Sequence, residues 1–312
     1  MKAAQFSSYG DHQVIEVTND MPRPEPREGQ VLVKVHAAAL NPLDWKIRAG
    51  YLQNWIPLTF PATTGGDFAG EVVKIEQGAD GWQVGDRVYG MASMMNACSG
   101  SLAEYATANA GQIGHKPSTV TYAEAAAAVL TGISALQAMD DLIHAAPGLK
   151  VLIHGGSGGV GSLAIQYAKH LGAHVATTAR AEGHAFVSQL GADEILDYER
   201  QSFETVLHDY DAVLDTVGGE TYAKSYQVLK PDGIIVSLVE QPNEGLMAEY
   251  RVRAVLQAGD VSTARLDRLA HLIDSGTMKV YIDQIFTLDQ APDAFDYLEH
   301  GHPQGKGAIQ IR

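Results

Sequence analysis

The first third of the chain shows the alternating hydrophobic and polar pattern of β-strands. Val31–Val35 reads Val-Leu-Val-Lys-Val, and Phe68–Ile75 and Arg87–Met91 are further strand-like runs. Glycine-containing turn sequences such as Gly78–Gly81 separate these runs. Short strands joined by frequent glycine turns predict a small, partly open β-barrel.

The pattern changes near Thr121, where Thr121–Glu124 resembles a capping box that opens an alanine-rich helix. We predict strands at Lys150–His154, Ala173–Thr178, Glu194–Leu196, Asp211–Asp215 and Gly233–Leu238, and helices at Gly161–Leu171 and in the segment up to Leu190. This alternation is typical of a parallel sheet with crossover helices, a doubly wound α/β domain. The last strand-like run, Gly307–Ile311, is expected to return to the first domain.

A glycine-rich loop follows the predicted strand at Lys150–His154. It fits the pattern G-x-G-x-x-G, and its members are Gly156, Ser157, Gly158, Gly159, Val160 and Gly161. In this motif the first glycine permits a sharp turn, the second lets the backbone approach a pyrophosphate, and the third lets the helix pack against the sheet. Because a strand precedes the loop and a helix follows it, we predict a dinucleotide site at the helix N-terminus.

The end of the second predicted strand indicates which dinucleotide binds. NAD-binding folds usually have a carboxylate there, about 20 residues past the loop, for the ribose hydroxyls. Here the chain reads Thr177-Thr178-Ala179-Arg180, so a 2′-phosphate would meet hydroxyls and a cation. We therefore predict NADPH as the cofactor, with Thr178 and Arg180 on its phosphate side.

Composition excludes several classes of partner. The 312 residues carry a net charge of −15, which disfavours nucleic acid and anionic lipid surfaces. The most apolar stretch, Ala125–Met139, is too short to span a bilayer. One cysteine, Cys98, cannot form an intramolecular disulfide. With no signal-like leader, the expected location is the cytoplasm.

Several motifs together carry a family resemblance over essentially the whole chain. They are Asn41–Gly50, Phe60-Pro61 with Gly65–Gly70, Val84–Val88, Gly100–Tyr105, Leu130–Gly132, the glycine loop, Leu190–Asp193 and Asp215–Gly219. In these the chain resembles the medium-chain dehydrogenase/reductase superfamily, in its zinc-independent quinone oxidoreductase branch. The resemblance implies a GroES-like β-rich catalytic domain at 1–122, to which 265–312 returns in part, and an NADP-binding Rossmann domain at 123–264. It also implies a substrate cleft and a homodimer.

The resemblance also locates where zinc-dependent relatives hold their metal. The position of their G-H-E motif reads Gly65-Gly66-Asp67, so no histidine stands there, and Asn41–Asp44 contains no cysteine. A four-cysteine structural zinc is impossible with one cysteine. We therefore predict no metal.

Three residues are candidates for the reaction centre, by resemblance to the segment that faces the nicotinamide. Asn41 would bond a ribose or substrate oxygen, Asp44 would orient a proton-relay water, and Tyr51 would donate a hydrogen bond or proton. Each has an alternative interpretation. Asn41 followed by Pro42 is also a helix N-cap, Asp44 also favours a helix N-terminus, and Tyr51 also suits the wall of a cleft.

Further residues are expected to contact the cofactor. Thr131 resembles the residue near the nicotinamide carboxamide, and Tyr198 resembles an adenine-side or phosphate-side contact. The remaining candidates follow the ends of later strands, where the nicotinamide ring and its ribose would rest, and are Val217, Gly218, Ser237, Leu238 and Val239.

The leading functional hypothesis is an NADPH-dependent reductase of small quinones or α,β-unsaturated carbonyls. Without a metal, a conjugated acceptor is favoured over a simple alcohol, because its developing negative charge is delocalised. The alternatives are an enoyl-thioester reductase and a non-catalytic protein that binds or senses NADPH.

Overall fold

The computed structural model describes residues 1–55 and 57–312, and these form two compact units. The first unit contains Met1–Leu130, Val261–Ser275 and Val280–Arg312, and the second contains Thr131–Asp260 and Gly276–Lys279. The division falls inside the helix Tyr122–Gln137, whose start is the predicted domain boundary.

The strands, in chain order, are β1 (Ala3–Phe6), β2 (Ile15–Thr18), β3 (Gln30–Ala39), β4 (Ala62–Thr63), β5 (Asp67–Ile75), β6 (Arg87–Met91), β7 (Tyr105–Asn109), β8 (Ile113–His115), β9 (Lys150–Ile153), β10 (His174–Ala179), β11 (Glu194–Asp197), β12 (Tyr210–Asp215), β13 (Leu229–Ser237), β14 (Arg253–Leu256), β15 (Ile282–Thr287) and β16 (Lys306–Gln310). The α-helices are α1 (Pro42–Arg48), α2 (Tyr122–Gln137), α3 (Gly159–His170), α4 (His184–Gln189), α5 (Gly219–Ser225), α6 (Glu244–Tyr250), α7 (Thr263–Asp274) and α8 (Ala291–His300). Among the helices of the described ranges, none is long and apolar enough to cross a membrane.

The first unit is organised around the long strand β3. Antiparallel β5 pairs with β3 along its length, while β7 pairs with Gln30–Lys34 and β16 with Ala37–Ala39. The β3–β5 register shifts twice, and such irregularities bend a strand. This bent, mostly antiparallel sheet matches the predicted β-rich domain, and β16 returns to it as expected. The predicted strands Val31–Val35, Phe68–Ile75 and Arg87–Met91 are confirmed.

The second unit contains a six-stranded parallel sheet in the order β11-β10-β9-β12-β13-β14. Because the chain runs outward from β9 to β11 and then continues from β12 on the other side, the order reverses between β9 and β12. Ligands of open α/β sheets bind at such a switch point, beyond the carboxyl ends of the strands. The glycine loop follows β9 at this point, so the predicted doubly wound domain is confirmed together with the position of its loop.

Candidate functional site

The glycine loop begins with a left-handed residue at Gly155, whose φ is +69°. This corrects the motif-based prediction, which assigned the sharp turn to Gly156. At Gly156 a Cβ would lie 2.0 Å from Thr177 Oγ1, so this glycine is required by close packing on β10. A Cβ at Gly161 would lie 2.2 Å from the Gly155 carbonyl oxygen, so Gly161 lets α3 start directly against the loop.

The other side of the loop is open. A Cβ at Gly158 would meet only the Gly155 carbonyl oxygen, at 3.3 Å, among the described atoms. Helix α3 begins at Gly159, and the first backbone N–H groups of a helix have no acceptor within it. These donors and the positive end of the helix dipole form an arrangement that binds phosphate oxygens.

Arg180 and Tyr198, both predicted to contact the cofactor, lie side by side. Arg180 Nε donates to Tyr198 Oη at 2.7 Å and lies 3.1 Å from Glu199 Oε1. Both contacts are made by Nε of the Arg180 guanidinium, which lies just past the end of β10 and is partly exposed. Arg180 is therefore held as a cation near the loop, with a neighbouring carboxylate that sequence reasoning did not select.

Thr178 is placed differently from its prediction as a phosphate-side contact. It is buried, and its hydroxyl lies 3.3 Å from the Gly155 nitrogen and 3.1 Å from His154 Nδ1. Its hydroxyl therefore supports the glycine loop from inside the fold. Thr131, the predicted carboxamide neighbour, lies in α2 and is also buried.

One buried carboxylate holds the two loops predicted to receive the nicotinamide. Asp215 Oδ1 accepts the backbone N–H groups of Val217 at 3.0 Å and Gly218 at 2.9 Å, and Oδ2 accepts the Ser237 hydroxyl at 2.7 Å. The Leu238 N–H donates to the Asp215 carbonyl at 3.0 Å, and Ser237 Oγ accepts the Val239 N–H at 3.2 Å. All five predicted residues are thus tied to Asp215, directly or through Ser237. The sequence signal for this role was the aspartate at the end of β12.

The first unit contains a buried charged cluster made of Asn41, Asp44, Asp67 and Lys306. Asn41 lies at its centre. Its Oδ1 accepts from Lys306 Nζ at 2.6 Å, its Nδ2 donates to Asp67 Oδ2 at 2.8 Å, and its backbone N–H donates to Asp44 Oδ2 at 2.8 Å. Lys306 also donates to the Leu40 carbonyl. The amide of Asn41 therefore bridges a cation and a carboxylate.

Burial controls the charges in this cluster. It raises the pKa of Asp44 to about 7, opposed by the Asn41 N–H and reinforced by the charge of Asp67. Burial also raises the pKa of Asp67 to about 6, opposed by Lys306 and by Asn41. The pKa of Lys306 is lowered by burial, against the attraction of both carboxylates. Asp67 Oδ1 is buried with no hydrogen-bond partner among the described residues, so Asp67 is incompletely compensated.

Comparison with known proteins decides the family. Residues 27–118 match the alcohol dehydrogenase GroES-like domain, and residues 190–309 match a domain described as zinc-binding dehydrogenase. The chain is 32% identical to a chloroplast envelope quinone oxidoreductase homolog of Arabidopsis thaliana, over 99% of this chain and 98% of that protein. The chain belongs to the medium-chain dehydrogenase/reductase superfamily.

Two further relatives in this superfamily are similar over nearly the whole chain. A chloroplastic NADPH-dependent alkenal/one oxidoreductase of Arabidopsis thaliana is 36% identical, over 99% of this chain and 79% of that protein. The structure of a quinone oxidoreductase from Coxiella burnetii superposes with a TM-score of 0.91 at 36% identity, covering 100% of this chain and 99% of that one.

The superfamily includes zinc enzymes, but the residues here do not fit a zinc ion. Gly66, which stands where zinc-dependent relatives have histidine, provides no ligand atom. The place of the first ligand, Asn41–Asp44, has no cysteine, and Asn41 Oδ1 accepts from the Lys306 ammonium, whose positive charge would repel a zinc ion. Within residues 1–55 and 57–312, no group of three or more His, Cys, Asp or Glu side chains could hold a metal ion.

Two of the three predicted reaction-centre residues are in contact, and the third is exposed. Asn41 is the N-cap of α1 and Asp44 accepts its N–H, so the alternative helix-capping interpretation describes their local geometry. Tyr51 is 73% exposed and its ring packs edge-on against Trp45, with centroids 5.6 Å apart. The sequence signal for the missed Lys306 was weak, because it lies 265 positions from Asn41.

Proposed function

We propose that this protein is an NADPH-dependent reductase of small quinones or α,β-unsaturated carbonyls. The observation that carries the proposal is the phosphate site of the second unit. The loop is open at Gly158, and Arg180 is held by Tyr198 at the end of the next strand. Relatives described as quinone oxidoreductase and as alkenal/one oxidoreductase support the class of acceptor.

When bound, NADPH supplies a hydride, and a proton completes the two-electron reduction of the acceptor. The residues of this chain would bind and orient the two molecules. The amides at the start of α3 would hold the pyrophosphate, and Arg180 with Tyr198 would hold the 2′-phosphate. The loops tied by Asp215 would receive the nicotinamide end. The proton would come from Tyr51 or from a water oriented by Asp44.

The test is a panel of acceptors assayed by NADPH oxidation. We expect turnover with small quinones and enones, weaker turnover with NADH, and no comparable oxidation of ethanol with NADP⁺. Enoyl-CoA turnover exceeding every small acceptor would favour a thioester reductase. NADPH binding without oxidation of any acceptor would favour a sensing role. The proposed homodimer rests on the family resemblance, and light scattering tests it. The cytoplasmic location stays a prediction.

A further inference from the structure

His154 lies between the end of β9 and the glycine loop, and its side chain is fully buried. Both ring nitrogens have partners. Nδ1 lies 3.1 Å from Thr178 Oγ1, and Nε2 lies 3.0 Å from Ser225 Oγ. Burial lowers the pKa of the imidazole to about 3, so the ring is neutral near pH 7 and one nitrogen carries the hydrogen.

The neighbouring groups fix which nitrogen that is. The Ser225 hydroxyl donates to the Thr221 carbonyl at 2.7 Å, so it accepts from His154 Nε2–H. His154 Nδ1 is then an acceptor, and the Thr178 hydroxyl donates to it. The same hydroxyl oxygen accepts the Gly155 N–H at 3.3 Å. When each group donates in the direction from Gly155 through Thr178 and His154 to Ser225 and α5, every group in this series of hydrogen bonds has its partner.

We propose that His154 is a positioning residue that sets the phosphate-binding loop through Thr178, and thereby the affinity for the dinucleotide. This inference rests on the proposed function. Thr178 holds two consecutive amides of the loop, the Gly155 N–H with its hydroxyl and the Gly156 N–H with its carbonyl at 3.1 Å.

A movement of this turn would reach the phosphate-binding amides. The Gly155 carbonyl accepts the Gly158 N–H at 3.0 Å, and a Cβ at Gly161 would lie only 2.2 Å from the same oxygen. The turn at Gly155 is therefore in direct contact with the start of α3. An imidazole that orients the Thr178 hydroxyl fixes the geometry of the donors that face the phosphates.

Two matched variants separate this role from simple packing. In His154→Asn, the side-chain oxygen can take the place of Nδ1 and still accept from Thr178. In His154→Gln, the amide nitrogen reaches the place of Nε2 and still donates to Ser225, but the acceptor for Thr178 is lost. We expect His154→Gln to raise the Kd for NADPH about tenfold, because one hydrogen bond is lost. His154→Asn should change the Kd less than about threefold, because this hydrogen bond is kept. Thr178→Val also removes the acceptor of the Gly155 N–H, so it should raise the Kd in the parent protein, and it should raise it less in the His154→Gln background, where the hydroxyl is no longer oriented.

Kd measured by calorimetry, melting temperature and ¹⁵N spectra of the histidines provide the readouts. Equal Kd values for the two His154 variants, or a lower melting temperature with an unchanged Kd, would overturn the proposal. In the parent protein we expect one-bond proton coupling at Nε2 of His154 and none at Nδ1. The reverse result would also overturn the proposal, and this measurement does not depend on whether the variants fold. No NADPH binding by the parent protein would instead refute the proposed function.

Discussion

Replacing Asp44 by Asn should change how the stability of the protein depends on pH. Asp44 is buried, and its pKa is raised from 3.8 to about 7, chiefly by burial. The folded protein therefore keeps a proton that the unfolded chain releases near pH 4. The stabilisation linked to this proton is complete below pH 3.8 and is lost as the pH rises through about 7.

The size of the effect follows from the two pKa values. Each unit by which the folded-state pKa exceeds the unfolded-state pKa is worth about 1.4 kcal/mol, so the free energy of unfolding falls by about 4 kcal/mol in all through the titration of Asp44. About 2 kcal/mol of it should fall between pH 5 and pH 7. The amide in Asp44→Asn has no such titration, while its side-chain oxygen could still accept the Asn41 N–H, at 2.8 Å from Asp44 Oδ2 in the parent protein. Asp67 and Lys306 remain in both proteins, so the two curves differ by the titration of Asp44 and by its charge interaction with these two neighbours.

The assay is urea unfolding of the parent protein and Asp44→Asn at pH 5, 6, 7 and 8, at constant ionic strength. The parent should lose about 2 kcal/mol more than the variant between pH 5 and 7. Asp80→Asn, which removes the same charge from an exposed position, is the matched control and should follow the parent. Parallel curves for the parent and Asp44→Asn would refute the reasoning.

Three further predictions concern the proposed activity. Arg180→Ala should weaken NADPH binding at least tenfold and leave NADH binding nearly unchanged, whereas Glu199→Gln should strengthen NADPH binding, because it removes a carboxylate 3.1 Å from Arg180. Calorimetry of both variants checks this, and equal affinities for NADPH and NADH in the parent protein would contradict it. Elemental analysis should find far less than one zinc per chain, because Gly66 offers no ligand and Asn41 holds Lys306; stoichiometric zinc lost together with activity would show the opposite. Tyr51→Phe keeps the ring contact with Trp45 and should lower kcat about ten- to a thousandfold as the loss of a proton donor, and an unchanged kcat would assign the proton to a water oriented by Asp44.

The sequence predicted those features whose signal is local. Arg87–Met91 is a strand in both the prediction and the structure, since its pattern is read within five residues. The glycine loop was found because strand, loop and helix are consecutive in the chain. The helix α7 was missed although Leu266, Leu269 and Ile273 give it a buried face at helical spacing, so a signal was present there. Strand β15 is mostly exposed, and its pattern has no clear alternation.

The supporting groups of the site could not be predicted in the same way. His154 is adjacent to the loop in sequence, but Ser225, which fixes its tautomer, lies 71 positions away. Lys306 meets Asn41 only because β16 pairs with the far end of β3. Such contacts depend on the pairing of distant strands, which periodicity along the chain does not specify.

The charged cluster around Asn41 lies where the family resemblance locates the catalytic zinc of zinc-dependent relatives. At this place the chain has one ammonium, Lys306, and two buried carboxylates, Asp44 and Asp67. With all three groups ionised the cluster would carry an uncompensated negative charge, and burial of such a charge is costly. The cluster reduces this cost by keeping a proton on Asp44 up to about pH 7 and by placing the Asn41 amide between Lys306 and Asp67. Of the two N–H groups on Asn41 Nδ2, one donates to Asp67, and we propose that the other donates to a cofactor or substrate oxygen.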